Sequence, residues 1–346
     1  MNKTASFFLI LCLTNTIIAQ DIHFSQFTEA PLAVNPALTG VFNGDVRVIL
    51  NYKDQWKSIA SPYRTFALSS DFALFKKKWE KSFLAGGLFV YRDQAGEVQI
   101  STTKVNASMS AILTVSEKQR LSAGIQGGFS QSSIDQGNMQ WDSQFDGQGY
   151  NSSLPTYEIF DFSPSTSFTD LNAGIDWNYF NKESNMISND MFYANVGASY
   201  AHITQPELFS YSENDPLYSK IVAHGNAYIG LKNSGLAILP SALFYMQGPH
   251  QEILGGMMIR YLLKEESKYT EAFKGTAISL GAQYRFGDAA IPTMYIELGN
   301  FGVGLSYDVN ISALKAATSE RGGLEISLRF INPNPFKSSD SSVRFL

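Results

Sequence analysis

The feature that most restricts this chain is a period-two alternation of apolar and polar residues that recurs along almost its whole length. Leu171, Ala173, Ile175, Trp177 and Tyr179 form one row, with Asn172, Gly174, Asp176 and Asn178 between them. Ile278, Leu280, Ala282, Tyr284 and Phe286 alternate with Ser279, Gly281, Gln283 and Arg285, and Leu324, Ile326, Leu328 and Phe330 with Glu325, Ser327 and Arg329. A period of two is that of a β-strand with two unlike faces. The chain is therefore all-β, and each strand offers an apolar face and a face of small or polar groups.

Alternation alone does not say which face meets water. In a secreted sandwich the apolar rows point inward; in a membrane barrel they meet lipid and the polar rows look inward. Three features favour the barrel. The runs are long, often nine residues or more, as tilted crossing strands require. Aromatics such as Tyr179, Phe180, Tyr200, Tyr284 and Phe286 sit near strand ends, where an interfacial girdle lies. The polar rows are rich in Gly and Ser. Charged residues make up 16% of the chain, against about 25% in soluble domains, so there is little charge to face water.

The N-terminus reads as a signal peptide over 1–19: Lys3, a short apolar core from Phe7 to Leu13, and Ala19 before the cleavage point. Cys12, the single cysteine, lies inside it, and Leu11 before it is a poor fit to a lipoprotein site. The mature chain is then expected to lack cysteine, and with it disulfides and thiolate chemistry. No later stretch is an 18-residue apolar run, so spanning by helices is excluded. A net charge of -5 and scattered basic residues argue against a nucleic-acid partner.

Fourteen strands are expected, near 45–56, 63–75, 82–93, 98–116, 119–130, 170–180, 191–203, 221–232, 236–247, 251–263, 273–286, 291–299, 301–310 and 323–331. They make a transmembrane antiparallel β-barrel of outer-membrane type over 45–331, an even number that lets the sheet close. With the N-terminus in the periplasm, the three longest connections (131–169, 204–220 and 311–322) fall on the outer side, and Glu117-Lys118, Asn233-Ser234-Gly235 and Asn300 fall on the inner side. The outer loop 131–169 carries Trp141, Tyr150 and Tyr157 as candidate partner contacts. Segment 20–44, punctuated by Pro31, Asn35-Pro36 and Gly40, either inserts into the lumen or forms a periplasmic collar, with Phe24 and Phe27 anchoring it at the barrel base. The tail 332–346 leaves through Asn332-Pro333-Asn334-Pro335.

No catalytic constellation is present in the sequence, and the expectation is that the chain is no enzyme. The histidines, His23, His202, His224 and His250, lack metal-ligand spacing, and His202 reads as a rim residue. There is no GxSxG, P-loop or GxGxxG motif, so no cofactor or metal is expected. Asp176, Arg285, Asp308, Glu325 and Arg329 fall in polar rows, and in a lumen they must be paired or wetted. Arg47, between Val46 and Val48, points the same way.

The most specific segment is Asp21-Ile-His23-Phe24-Ser25-Gln26-Phe27, then Pro31 through Asn35-Pro36-Ala37 to Gly40, then Arg47, Asn51-Tyr52 and Gln55-Trp56. It resembles the PorP/SprF family of type IX secretion system membrane proteins from Bacteroidota. The likeness is dense over 21–56 and elsewhere rests on length and strand pattern. It implies an outer-membrane protein acting with secretion, gliding motility or surface-attachment machinery. Its implied partners are a large adhesin-like surface protein ending in a type IX secretion-signal domain, and periplasmic or outer-membrane secretion components. The SprF-like and PorP-like branches are not distinguished, and the tail 332–346 departs from the family pattern. Alternative readings are a small-solute transporter or channel and an extracellular adhesion module.

Overall fold

The structure, a computed structural model, describes residues 21–332 apart from 56–62, 75–81, 97–98, 136, 138, 157–164, 182–190, 208–215, 265–274 and 313–320. Fourteen strands close into one antiparallel barrel in which each pairs with its neighbour in sequence. They are β1 (Val46–Gln55), β2 (Tyr63–Leu74), β3 (Ser82–Ala95), β4 (Ile100–Ser116), β5 (Gln119–Ser133), β6 (Ser165–Asn181) and β7 (Phe192–Ala201). The second half is β8 (Lys220–Gly230), β9 (Leu236–Gln247), β10 (His250–Lys264), β11 (Thr276–Arg285), β12 (Ala289–Leu298), β13 (Phe301–Asn310) and β14 (Arg321–Asn332). The seam is β1 on β14, in register from Val46↔Asn332 to Gln55↔Gly323. Closure gives every strand a partner on both sides, so no backbone edge is left to lipid.

The two rows of each strand meet different media. The outer rows expose Leu50, Phe66, Ile125, Ile175 and Ile259, while the inner rows bury Arg47, Asn51, Asp71, Ser110, Asp176, Asp308 and Glu325. An apolar coat running around the whole outer surface far exceeds the few hundred Å² a water-soluble monomer tolerates. The shortest strands have ten residues. At a rise of about 3.4 Å and a tilt of roughly 40°, ten residues reach about 26 Å, the height of an apolar band. Aromatic pairs mark both ends of that band: Tyr284 on Phe286 at 5.0 Å near one mouth, and Phe301 on Phe330 at 5.0 Å near the other.

The mouths differ. One holds the connections 134–164, 202–219 and 311–320, together with the tight turns after β9 and β11; this is the long-loop mouth. The other holds 117–118, 231–235 and 299–300, and here β1 begins and β14 ends. Two details depart from the sequence reading. The connection expected over 131–169 is shorter, because β5 runs on to Ser133 and β6 starts at Ser165, paired Ser133↔Ser165 and Ser132↔Thr166. Apart from Phe168, those extensions are Ser, Thr and Gln, as befits a ladder standing above the bilayer, so they carry no apolar alternation. Phe180, expected in the girdle, continues the inner row of Asp176 and Asn178, with the Arg120 guanidinium 5.0 Å from its ring centre.

Candidate functional site: a strap through the lumen

Before β1 the chain is not a strand. Residues 21–45 form a strap inside the barrel, with a 3-10 turn at Phe27–Glu29, one helical turn at Pro31–Val34 and a second 3-10 turn at Pro36–Leu38. The sequence dictates these turns. Pro31 and Pro36 each occupy a first-turn position, where the missing N–H costs nothing. Asn35 caps the second 3-10 turn by accepting the Ala37 N–H at 2.9 Å. Gly40 turns the chain at φ +74, and a Cβ there would collide with the Ala85 methyl group.

An irregular segment inside a barrel must find partners for its own peptide groups. The inner rows supply them. Ser199 donates to Val34 O at 2.7 Å, Gln126 to Leu32 O at 3.1 Å, Ser122 to Ala37 O at 2.9 Å and Ser110 to Thr39 O at 2.5 Å. Glu325 accepts the Ser25 and Gln26 N–H groups, each at 2.8 Å. Asn35 donates to Ile175 O at 2.9 Å and lies 3.0 Å from the His224 ring nitrogen. Its side chain occupies the space a Cβ at Gly174 would need. The small and amide-bearing inner residues are thus a complement to the strap.

Apolar contacts fix the strap across the diameter. Phe24 packs with Leu32 of the strap and with Ala67, Phe89 and Tyr91 on the β2–β3 wall. Phe27 packs with Val222, Leu243, Tyr245, Leu254 and Ile291 on the β8–β12 wall. In a ring of fourteen strands β2 and β9 are diametrically opposite. Both phenylalanines sit in the half of the lumen nearer the long-loop mouth, so they do not anchor the strap at the base, as the sequence reading had it.

Most of the buried charges fall into clusters tied to the strap. Arg47 meets Asp71 at 2.7 Å and Leu38 O at 3.1 Å, beneath the Phe42 ring. Arg285 meets Asp308 at 3.0 Å and donates to Ser25 Oγ at 2.7 Å. Arg329 meets Glu29 at 3.0 Å, and Tyr295 donates to the same carboxylate at 3.2 Å. Asp176 accepts from Asn195 at 2.6 and 2.8 Å. At the long-loop mouth Asp21 lies 2.8 Å from His202 and 3.7 Å from Lys220. On its other side His202 meets Asp170, which also takes Lys104 at 2.7 Å. Burial alone would raise the Asp21 carboxyl, but His202, Lys220 and Lys104 together hold it well below 3.8. Burial alone would lower His202, but Asp21 and Asp170 outweigh it and raise the imidazole above 6.5. His23 goes the other way: burial and the Lys53, Arg285 and Lys220 cations lower it well below 6.5. Its Nε2 lies 3.7 Å from Glu252.

Of the residues singled out in the sequence, Asp21, His23, Phe24, Ser25, Gln26, Phe27, Pro31, Asn35, Pro36, Ala37 and Gly40 make the strap, and Arg47 and Asn51 face it. Asn51 donates to Glu29 O at 3.1 Å. Tyr52 instead faces lipid against Phe66, with ring centres 4.8 Å apart, and Gln55 ends β1. Asp176, Arg285, Asp308, Glu325 and Arg329 are all in the lumen. Tyr150 bridges to Phe145 in the connection 134–164, and Trp141 precedes a 3-10 turn there. Trp56 and Tyr157 lie outside the described residues. Glu29, Lys53, Asp71, Lys104, Asp170, His202 and Lys220 were missed. Lys53, Asp71, Lys104 and Asp170 share the parity of inner-row neighbours, which was the available signal. His202, read as a rim residue, is fully buried just past β7, at φ +57.

The chain is similar in structure to BamA from Haemophilus ducreyi lacking its first three POTRA domains, at 12% identity over 84% of this chain and 70% of that one, with a TM-score of 0.41. It is similar to a deletion mutant of the TodX monoaromatic hydrocarbon channel, at 9% identity over 87% and 92% of the two chains, with a TM-score of 0.43. A search of curated proteins finds no match. A family model for type IX secretion system membrane protein PorP/SprF matches residues 17–330, and with that match over nearly the whole length this barrel with its threaded strap belongs to the PorP/SprF family.

Proposed function

We propose that this outer-membrane barrel supports the export or surface attachment of a large adhesin-like protein by binding that cargo, or translocon components, rather than by conducting it. The observation that carries the reading is the family match over residues 17–330. The strap supports the second half of it. A lumen crossed by Phe24 and Phe27 to opposite walls leaves the inner rows occupied by the protein's own chain, which counts against the solute-channel alternative. Partner contacts then belong at the mouths, with the loops bearing Trp141 and Tyr150 on the cell surface and the short turns in the periplasm. The role is binding and not catalysis. The cargo is a large secreted protein with a type IX secretion-signal domain.

Deletion of the gene, with surface proteins compared by labelling of intact cells, tests the reading. Loss of one large surface protein, restored by the gene in trans, is the expected result. Undiminished display of every large surface protein would overturn it.

A further inference from the structure

The strap climbs the barrel from one mouth to the other. On β1 alone, Arg47 meets Leu38 O, Asn51 meets Glu29 O and Lys53 meets His23 O at 2.9 Å. As the strand rises from the short-turn mouth, the strap residue beside it falls from 38 to 29 to 23. The β14–β13 wall gives the same order. Arg329, nearest the short turns, holds Glu29; Ser327 and Ser306, in mid-wall, hold Gln26; Asp308, nearer the long loops, holds Ser25. At its lower end Asp45 N donates to Asn332 O at 3.0 Å, at the foot of the β1–β14 seam. At its upper end Asp21 N donates to Gln247 Oε1 at 3.2 Å, and Gln247 is the last residue of β9. His202, against the Asp21 carboxylate, lies just past the last residue of β7. Asp21 therefore sits at the long-loop mouth, across the barrel's full height from the start of β1.

We infer that the mature amino terminus is delivered through the barrel to the long-loop mouth, so that the residue bonded to Asp21 continues from that mouth on the cell surface, while Asn332 leaves from the opposite one. Which mouth is outside rests on the proposed function; that Asp21 shares a mouth with loop 134–164 does not. This changes one expectation from the sequence: the periplasmic placement expected of the amino end passes, on the proposed orientation, to the start of β1.

The test places a short epitope tag between Gln20 and Asp21 of the full chain, with parallel insertions after Ser153 in the outer loop and after Glu117 in the β4–β5 turn. Antibody binding is read on intact and permeabilised cells, and heat-modifiable gel mobility confirms a folded barrel. The tag before Asp21 is expected to behave as the Ser153 tag does. Behaviour like the Glu117 tag would overturn the inference. A Ser153 tag reached only after permeabilisation, with the Asp21 tag alike, would reverse the proposed orientation and leave the inference standing. If the tagged chain does not fold, the untagged double variant Gln26→Cys/Ser306→Cys, treated with a short bis-maleimide that bridges the gap left by the shortened Gln26 side chain, replaces it. A cross-link in the folded barrel is expected, and its absence when both thiols are alkylated would overturn the threading.

Discussion

Arg47 and Asp71 grip each other at two points, Nε to Oδ1 at 2.9 Å and Nη2 to Oδ2 at 2.7 Å, and the same Oδ2 accepts the Gly40 N–H at 2.8 Å. Both side chains are 1% exposed. The pair ties the lower end of the strap to two neighbouring strands. A two-point guanidinium–carboxylate clasp is the strongest arrangement two such groups can make, and once one partner is gone the other is a bare charge away from water.

Arg47→Ala or Asp71→Ala should therefore destabilise the folded barrel by about 3–5 kcal/mol. The double variant Arg47→Met/Asp71→Leu should recover part of that loss, because no uncompensated charge remains. Urea unfolding of the protein in lipid vesicles, followed by tryptophan fluorescence, measures both. Single variants as stable as the unaltered protein would show that the clasp contributes nothing.

Gly174→Val should displace the strap. A Cβ at that position meets the Asn35 side chain and stands 3.1 Å from Ala198 O, so overpacking of about 1–3 kcal/mol is expected. Gly127, on the outer face, has nothing near its Cβ, and Gly127→Ala is the matched control. Limited proteolysis of folded protein should cut the strap of Gly174→Val and spare that of Gly127→Ala.

The clasp at the long-loop mouth sets a pH window. The Asp21 carboxyl is depressed, so its contribution is full above 3.8 and is lost as pH falls through the lower folded value. The His202 imidazole is raised, so its contribution is full below 6.5 and is lost as pH rises through the higher folded value. The groups facing the pair are Asp170 from β6, Lys104 from β4 and Lys220 from β8. The upper end of the strap should be held most firmly between about pH 4 and 6.5. Hydrogen exchange of strap amides as a function of pH reads this, and Asp21→Asn should weaken the alkaline part of the dependence, with Asp170 still facing the imidazole.

On the lipid side, Ile125 stands near the middle of β5 and is 60% exposed. Ile125→Arg should cost about 2–4 kcal/mol at that depth. The same substitution at Ile311, just past β13 at the long-loop mouth, should cost about 0–1 kcal/mol. Unfolding from vesicles measures the difference, and equal effects would argue against lipid at Ile125.

The barrel was legible because its physics is periodic. Two solvents on two faces write a period of two into every crossing strand, and parity alone placed Arg47, Asp176, Arg285, Asp308, Glu325 and Arg329 in the interior. Where the ladder leaves the bilayer the period disappears, which is why the Ser165–Ser167 start of β6 read as loop. The strap carries no period at all. Its prolines and Gly40 announce turns, but its path is set by which inner-row hydroxyls and amides lie beside each peptide group, and sequence does not show that adjacency. His202 read as a rim residue because its partners, Asp21 and Asp170, lie 181 and 32 residues away.

The most direct test of the central claim is the conductance of the purified mature protein in a planar bilayer. A barrel crossed by its own strap should pass no steady ion current, and removal of residues 21–42 should yield discrete open steps. Steady stepwise conductance by the intact protein, equal to that of the strapless form, would contradict the account.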